Sequence, residues 1–386
     1  MRIALFTDTY LPQVNGVSRT LARLVRSAER RGHTVALVTP RFTEETDSPA
    51  KLHLGLPGLP VPFYPELRLC LPLPGAVRRG LDSFAPDLVH VATEFTVGMA
   101  GVQWAAEAEA PLVTSFHTDF PAYLSGYGFA GLENLAWQYL RRFHRKARRT
   151  FCPSRATLEQ LRGQDFHPRL SVWTRGVDGD RFHPSLRSEE VRRRIAPDAD
   201  RILVYVGRLA PEKRLDLLLE AFGRIRAAER EAGRRRTGLV IVGDGPDSER
   251  LREEAGPGVH FTGYLSGREL AEAYAAGDVF AFPSDTETFG NVVLEAMASG
   301  VPVVAPARGG VLDTVVPGET GLLCPPGDPA AFAETCRELL EDGERRRRLA
   351  EGSRSAAESR SWKAIFDRLF EEYGQVAASG REALVA

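Results

Sequence analysis

Short β-rich apolar runs alternate with longer stretches of helical period along most of the chain, the pattern of βαβ units and parallel sheets. In the first half, strands are predicted at Ile3–Asp8, Thr34–Thr39, Asp87–Ala92, Leu112–His117 and Thr150–Pro153. Helices are expected near Val17–Arg31, Thr96–Glu109, Leu132–Arg148 and Arg155–Arg162. The Pro-, Gly- and Leu-rich stretch Ser48–Pro74 fits neither period and is expected to form irregular strands and loops. A second series has strands at Ile202–Gly207, Leu239–Gly243, His260–Thr262, Val279–Pro283, Val301–Ala305 and Leu322–Cys324. Its helices are expected near Lys213–Ala232, Asp247–Ala255, Arg268–Ala275, Asn291–Ala298, Pro329–Glu341 and Arg345–Ser359. Between the two series lies Arg181–Asp200, polar and carrying Pro184 and Pro197, which suits a linker. The fold class is therefore α/β. Two doubly wound domains, residues 1–183 and 184–360, are expected to face each other across a cleft, with ligand where strand C-termini meet. Residues 361–386 add a C-terminal helix. Its stripe of Trp362, Ile365, Phe366, Leu369 and Phe370 is expected to pack on a domain surface, the amino-terminal domain being the candidate.

With 386 residues, 43% hydrophobic and 26% charged, the chain has a globular composition and the length for two domains. A net charge of −1 gives no sign of a nucleic-acid partner. The charge is uneven, however: residues 1–185 hold 22 Lys and Arg against 17 Asp and Glu, and the rest 28 against 34. No apolar run approaches the ~18–20 residues of a membrane span, and Met1-Arg2-Ile3 leads straight into a strand rather than a signal peptide. Cys70, Cys152, Cys324 and Cys336 form no CxxC pair, so reduced thiols in a cytoplasmic protein are expected.

The segment Asp285–Gly300 carries the most chemistry. Glu287 and Glu295 bracket Gly290 at a strand-to-helix turn, where glycine permits backbone conformations other residues resist and a close approach of ligand. The N–H groups of Asn291 to Val293 would be the unsatisfied donors of a new helix, a ready site for phosphate. Carboxylates on each side of an anion site suit the hydroxyls of a sugar and a ribose. On the residues alone, Glu287 also reads as a helix N-terminal charge and Glu295 as a solvated residue. Arg208 and Lys213 stand five apart between a strand and a helix, where two cations would stabilise charge growing on a pyrophosphate or simply line a βα loop. In the first half, Thr7–Ser18 opens a helix without any G-x-G-x-x-G; Asn15-Gly16 is either a phosphate approach or a turn signal. His117, Asp119 and Tyr123 follow a strand end. The triplets Asp178-Gly-Asp180 and Asp198-Ala-Asp200 read formally as DxD, but fall in the linker region.

The Asp285–Gly300 segment resembles the E-x7-E motif of retaining glycosyltransferases with two Rossmann-like domains (the GT-B fold), specifically glycosyltransferase family 4. Val206-Gly-Arg-Leu-Ala-Pro-Glu-Lys213, Val242-Gly-Asp-Gly-Pro, Phe261-Thr-Gly, Gly309-Gly and Thr320-Gly-Leu-Leu resemble further family motifs in the same order. The resemblance implies a donor site of Gly16, Gly207, Arg208, Lys213, Glu287, Phe289, Gly290, Asn291, Val292 and Glu295. Arg208 and Lys213 grip the diphosphate, Glu287 the sugar and Glu295 the ribose. His117 touches the transferred sugar and joins Arg208, Lys213 and Glu287 as the catalytic set, while Asn15, Asp119 and Tyr123 are candidates for acceptor binding. Arg175 and Asp178, in a turn resembling the family's R/N-G-V-D, are minor candidates. With two cations on the diphosphate, no metal ion and no other cofactor is expected.

Val61–Arg68, Ser115–Pro121 and the Glu-Thr-Phe-Gly-Asn form of the donor motif resemble one branch in particular. That branch holds GDP-mannose-dependent α-mannosyltransferases and the sulfoquinovosyl- and glucosyl-diacylglycerol synthases. Transfer of mannose from GDP-mannose to a glycolipid or glycoside is the expectation, with UDP-linked glucose or sulfoquinovose as the alternative. A nucleotide-sugar-binding protein without transferase activity and a phosphorylase with a pyridoxal-bearing lysine are the other classes. Leu140–Arg149 holds Arg141, Arg142, Arg145, Lys146, Arg148 and Arg149 with no acid. It reads as a solvated helix face or as a basic helix on the cytoplasmic face of an anionic membrane, at ~1 kcal/mol per nearby cation.

Overall fold

The computed structural model describes residues 1–13, 15–42, 48–61, 64–70, 75–121, 130–233 and 236–385. In the first half the apolar runs become β1 (Arg2–Phe6), β2 (Thr34–Pro40), β6 (Leu88–Val91), β7 (Leu112–Ser115) and β8 (Arg149–Cys152). Two further strands, β3 (Leu52–Leu56) and β9 (Leu170–Val172), extend the sheet at its edges, giving the parallel order β3-β2-β1-β6-β7-β8-β9. Within Ser48–Pro74, β4 (Gly58–Val61) and β5 (Tyr64–Cys70) pair antiparallel as a separate ribbon. The helices are α1 (Gly16–Arg30), α2 (Gly75–Phe84), α3 (Thr96–Glu107), α4 (Glu133–His144) and α5 (Arg155–Gly163).

The second half follows with α6 (Glu189–Ile195), β10 (Arg201–Val206), α7 (Leu215–Glu231), β11 (Thr237–Val242), α8 (Ser248–Glu254) and β12 (Val259–Gly263). Then come α9 (Gly267–Ala276), β13 (Val279–Ala281), α10 (Asn291–Ala298), β14 (Val303–Pro306) and β15 (Gly321–Cys324). The order β12-β11-β10-β13-β14-β15 is again parallel throughout. Two apolar clusters cover the faces of this sheet, one around Tyr274, Phe280 and Met297, the other around Leu218, Phe222 and Phe332. Helices α11 (Pro329–Glu341), α12 (Gly343–Glu358) and α13 (Trp362–Val385) complete the chain. Both halves are thus doubly wound α/β units of the Rossmann type. In each, the strand order reverses once: between β1 and β6, and between β10 and β13.

The chain divides into one compact unit of Met1–Pro121, Gly131–Thr174 and the residues from Lys363 onward, and a second holding Arg175–Trp362. The division falls before residue 183 because Val177 and Phe182 bury their side chains in the core of the second unit. There, Arg354 also donates to the carbonyls of Gly179 and Phe182. The expected linker Arg181–Asp200 likewise contains a helix, α6, capped by Ser188. Arg187, just before it, and Arg192, within it, clamp the buried carboxylate of Asp278, at 2.8 and 3.1 Å. Sequence polarity marked this stretch as linker because its charges find their partner some ninety residues away.

Candidate active site

In an open parallel sheet, ligands gather outside the strand C-termini where the order reverses. In the second unit, that place belongs to the loops after β10 and β13. The first begins at Gly207 and runs through Arg208 into a 3₁₀ turn, Pro211–Lys213, with Arg214 left-handed at φ 54° before α7. Gly207 is required by contact: a Cβ there would lie 2.5 Å from the hydroxyl of Tyr205, which donates to the Arg208 carbonyl at 3.0 Å. Gly243 and Gly245, after β11, press their backbones on the same loop; a Cβ at Gly243 would stand 1.9 Å from the Gly207 carbonyl oxygen.

The loop after β13 meets this one through side chains. Ser284 and Thr286 donate to the Glu212 carbonyl, at 3.4 and 3.2 Å. Lys213 Nζ donates to Glu287 Oε1 at 2.5 Å, with side chains only 14% and 19% exposed. Gly290 then turns left-handed at φ 82° and caps α10, whose first turn holds no acidic side chain. The backbone of Gly309-Gly310 closes on the loop from outside: Gly310 N–H donates to the Glu287 carbonyl at 2.7 Å, and a Cβ at Gly310 would be 2.2 Å from the Thr288 carbonyl oxygen. Inside α10, the half-buried Glu295 accepts from the Tyr274 hydroxyl at 2.8 Å.

The structure thus brings Gly207, Arg208, Lys213, Glu287, Gly290, Asn291, Val292 and Glu295 into two adjoining loops and one helix start. Phe289 differs: it is buried in the core with Val293 and Val311, so only its backbone faces the turn. Asn291 Oδ1 is buried with no hydrogen-bond partner among the described residues.

In the first unit, the corresponding loops follow β1 and β6. Asp8 is buried after β1, and its carboxylate accepts from the N–H groups of Val97 and Gly98 and from the hydroxyls of Thr93 and Thr96, capping α3. Burial pushes its pKa up, while these four donors pull it down. Asn15 is engaged at both ends: Oδ1 accepts from Ser18 N–H at 2.8 Å as the cap of α1, and Nδ2 donates to Thr9 Oγ1 at 2.8 Å. Gly16 is exposed as the first residue of α1. His117 lies just past β7, buried, with its ring 5.4 Å from that of Trp173. Asp119 is buried and accepts from Gln160 Nε2 at 2.7 Å. Tyr123 lies outside the described residues. In the second unit, Arg175 is buried, and Asp178 accepts from Arg181 N–H at 3.2 Å, closing the turn. Asp200 serves a backbone cap at Arg236.

Sequence reasoning missed Asp8, Glu94 and Tyr274. Glu94 is buried after β6, held 3.3 Å from the equally buried His144; burial pushes the carboxyl up and the imidazole down to about 3. No spacing rule links residues fifty apart, so the only signal was an acidic residue directly after a predicted strand.

Comparison with known proteins gives the family. Residues 14–181 match the Glycosyltransferase Family 4 model and residues 187–356 the model for glycosyl transferases group 1. A GDP-mannose-dependent alpha-mannosyltransferase of Mycobacterium tuberculosis is 40% identical over 97% of both chains. The sulfoquinovosyl transferase of Arabidopsis thaliana is 33% identical over 96% of this chain and 73% of its own. Among solved structures, the sucrose-phosphate synthase of Thermosynechococcus elongatus superposes with a TM-score of 0.80 at 22% identity, covering 98% of this chain and 99% of that one, so the GT-B fold is shared. Two family models in tandem, with relatives aligned nearly end to end, make this chain a hexosyltransferase belonging to glycosyltransferase family 4.

Proposed function

We propose that the protein transfers mannose from GDP-mannose to a hydroxyl of a glycolipid or glycoside, with retention of the α configuration. The observation that carries this reading is the Lys213–Glu287 pair, spanning the two loops at the β10/β13 reversal beside the N-terminus of α10. Lys213 and Arg208 supply fixed positive charge to a diphosphate, and the N–H groups opening α10 add a donor set that favours anions. Glu287 holds sugar hydroxyls and Glu295 the ribose. In the first unit, His117 has a sugar-contacting role and Asp119 an acceptor role, supported by their place directly after β7. As the bond from the sugar C1 to the leaving phosphate breaks, the acceptor oxygen bonds C1 on the same face and its proton passes to the departing phosphate oxygen. The two cations stabilise the charge left on the diphosphate, so no metal ion is needed. Names of relatives support the donor: the Mycobacterium tuberculosis relative is named as GDP-mannose-dependent. The sulfoquinovosyl relative favours the second reading, in which another hexose than mannose is transferred.

A thermal-shift and hydrolysis panel of GDP, UDP and ADP with their mannose and glucose conjugates tests this, since a ligand bound only by the folded state raises Tm. Shifts confined to GDP and GDP-mannose are expected. Shifts confined to UDP species overturn the mannosyl assignment and leave the machinery in place.

The acceptor reading extends to an anionic membrane surface on the cytoplasmic side. None of the four cysteines forms a disulfide, and among the described residues no helix is long and apolar enough to cross a membrane. Exposed apolar side chains of the first unit include Leu59 and Leu69 on the β4–β5 ribbon, Met99 on α3, Leu132 just before α4, and Leu135 and Tyr139 on it. A cavity of about 460 Å³ opens among these elements, and a second of about 530 Å³ is lined by Gln138, Arg141, Arg142, Arg145, Lys146 and Asp165, the last paired with Arg145. Apolar patches of this kind mark interaction surfaces. Co-flotation with phosphatidylglycerol vesicles but not phosphatidylcholine vesicles is expected, fading with salt; no flotation with either removes the membrane role.

A further inference from the structure

Tyr274 stands outside every motif that pointed to the donor site, yet its hydroxyl is hydrogen-bonded to a donor-motif carboxylate. It projects from α9, is fully buried, and donates to Glu295 Oε2 at 2.8 Å. Its ring is fixed on two sides. Phe182 meets it edge-on, with centroids 5.5 Å apart and planes at 90°, and Phe280 of β13 lies 5.8 Å away at 42°. The ring therefore has one rotamer, and the hydroxyl one position. Glu295, by contrast, is half-buried on a three-torsion side chain, one and a half turns inside α10. A carboxylate of that kind samples several rotamers unless a fixed donor selects one. A buried tyrosine hydroxyl needs a hydrogen-bond partner; here a carboxylate at the proposed ligand site is one.

We propose that Tyr274 is a positioning residue for nucleotide binding: it holds the Glu295 carboxylate in the orientation that receives the ribose hydroxyls of the donor. This rests on the assignment of Glu295 to the ribose, and deepens it. Ordering Glu295 before the nucleotide arrives removes a cost that binding would otherwise bear. The contribution belongs to affinity for the nucleotide, not to the bond-breaking step, because Tyr274 touches Glu295 and not the reacting atoms.

The test uses Tyr274→Phe, which keeps the ring and its two aromatic contacts while deleting the hydroxyl. The full-length protein is titrated with GDP and 2′-deoxy-GDP, or with UDP and 2′-deoxy-UDP if the panel above selects uridine. Loss of one hydrogen bond to a charged acceptor predicts about five- to tenfold weaker binding of the ribonucleotide. Binding of the deoxynucleotide, which keeps only the 3′-hydroxyl, should fall by a smaller factor, so discrimination between the two narrows. The donor KM should rise by the same factor as the dissociation constant, with kcat within about twofold of wild type. In an Glu295→Ala background, Tyr274→Phe should add nothing, since coupled residues are not additive. Unchanged ribonucleotide affinity in Tyr274→Phe, where Glu295→Ala weakens it, overturns the proposal and leaves Tyr274 as packing. An equal loss for ribo- and deoxynucleotide overturns it as well. If Glu295→Ala itself leaves nucleotide affinity intact, the ribose assignment fails first, and that result is separable from the behaviour of Tyr274.

Discussion

Lys213 and Glu287 form a salt bridge that is mostly shielded from water and lies where the donor diphosphate is proposed to sit. Removing one member of such a pair leaves an uncompensated charge, which costs more than the pair contributes. Lys213→Ala therefore does two things: it deletes a cation for the diphosphate and leaves the Glu287 carboxylate facing it. We expect Lys213→Ala to reduce transfer at least ~100-fold, in the range for loss of one electrostatic stabiliser. Nucleoside diphosphate should bind more weakly to Lys213→Ala than to Lys213→Ala/Glu287→Gln, in which the repelling carboxylate is neutral. Calorimetric titration of the two variants decides this; equal affinities mean that Glu287 does not sense the diphosphate. How well the site could be read from sequence also divides at this scale. Lys213, Glu287 and Glu295 were legible because each belongs to a local pattern of fixed spacing. Tyr274 was not, since nothing near it in sequence marks it and its partner arrives twenty-one positions later through tertiary packing. Phe289, inside the motif, was legible as a position but not as a core side chain.

Among the elements, α13 is tied to the first unit by both apolar and polar contacts. Of the apolar stripe, Phe366, Leu369 and Phe370 are buried and Trp362 and Ile365 half-buried, with Tyr373 buried one turn further on, while Arg31 pairs with Asp367 at 2.6 Å and Arg149 with Glu372 at 2.8 Å. The least expected tie is His90, in the middle of β6. Its Nε2 lies 2.7 Å from Ser115 Oγ and its Nδ1 2.6 Å from the Tyr373 hydroxyl, with Phe151 and Trp173 rings around it. Burial without a carboxylate partner pushes the imidazole pKa from 6.5 down to about 3. Below pH 6.5 the unfolded chain takes up a proton at His90 that the folded chain refuses, so stability falls as pH falls. The slope approaches about 1.4 kcal/mol per pH unit until the folded pKa is reached. Urea unfolding at pH 7.5, 6 and 5 should show a steeper loss for wild type than for His90→Asn; parallel curves contradict the burial of a neutral ring. At pH 7.5, Tyr373→Phe should cost about 1–3 kcal/mol, by leaving a buried ring nitrogen without its partner. The stripe on α13 was legible from periodicity. Its docking place was not, because a lone histidine in an apolar strand gives no direction to a helix 283 residues away.

At the scale of the whole molecule, the chain leaves the first unit after Thr174, builds the second through Trp362, and returns from Lys363 onward. The two crossings lie side by side on the second unit: Val177 N–H donates to the Arg360 carbonyl at 3.2 Å, and Val177 bridges to Ser361. A Cβ at Gly176 would come within 2.9 Å of Trp362, so the outgoing strand must be slim for the return to pass. The first unit is thus discontinuous in sequence, and its core depends on residues added last. Each large apolar side chain of α13 contributes about 1.5–3 kcal/mol by burial, and domains are stable by only about 5–15 kcal/mol. Loss of Phe366, Leu369, Phe370 and Tyr373 together should therefore unfold the first unit. Among the described residues, no buried core residue of the second unit lies beyond Trp362. A chain ending at Trp362 should accordingly lose amide-exchange protection in β1, β2 and β6 while β10, β11 and β13 stay protected. It should still gain thermal stability from nucleoside diphosphate, because Arg208, Lys213, Glu287 and Glu295 all belong to the unit that remains. Transfer should vanish, since His117 belongs to the unit that is lost. Retained protection of β6 in that chain would mean that α13 covers a core already complete without it; loss of protection throughout would mean that the second unit also depends on the first for its stability.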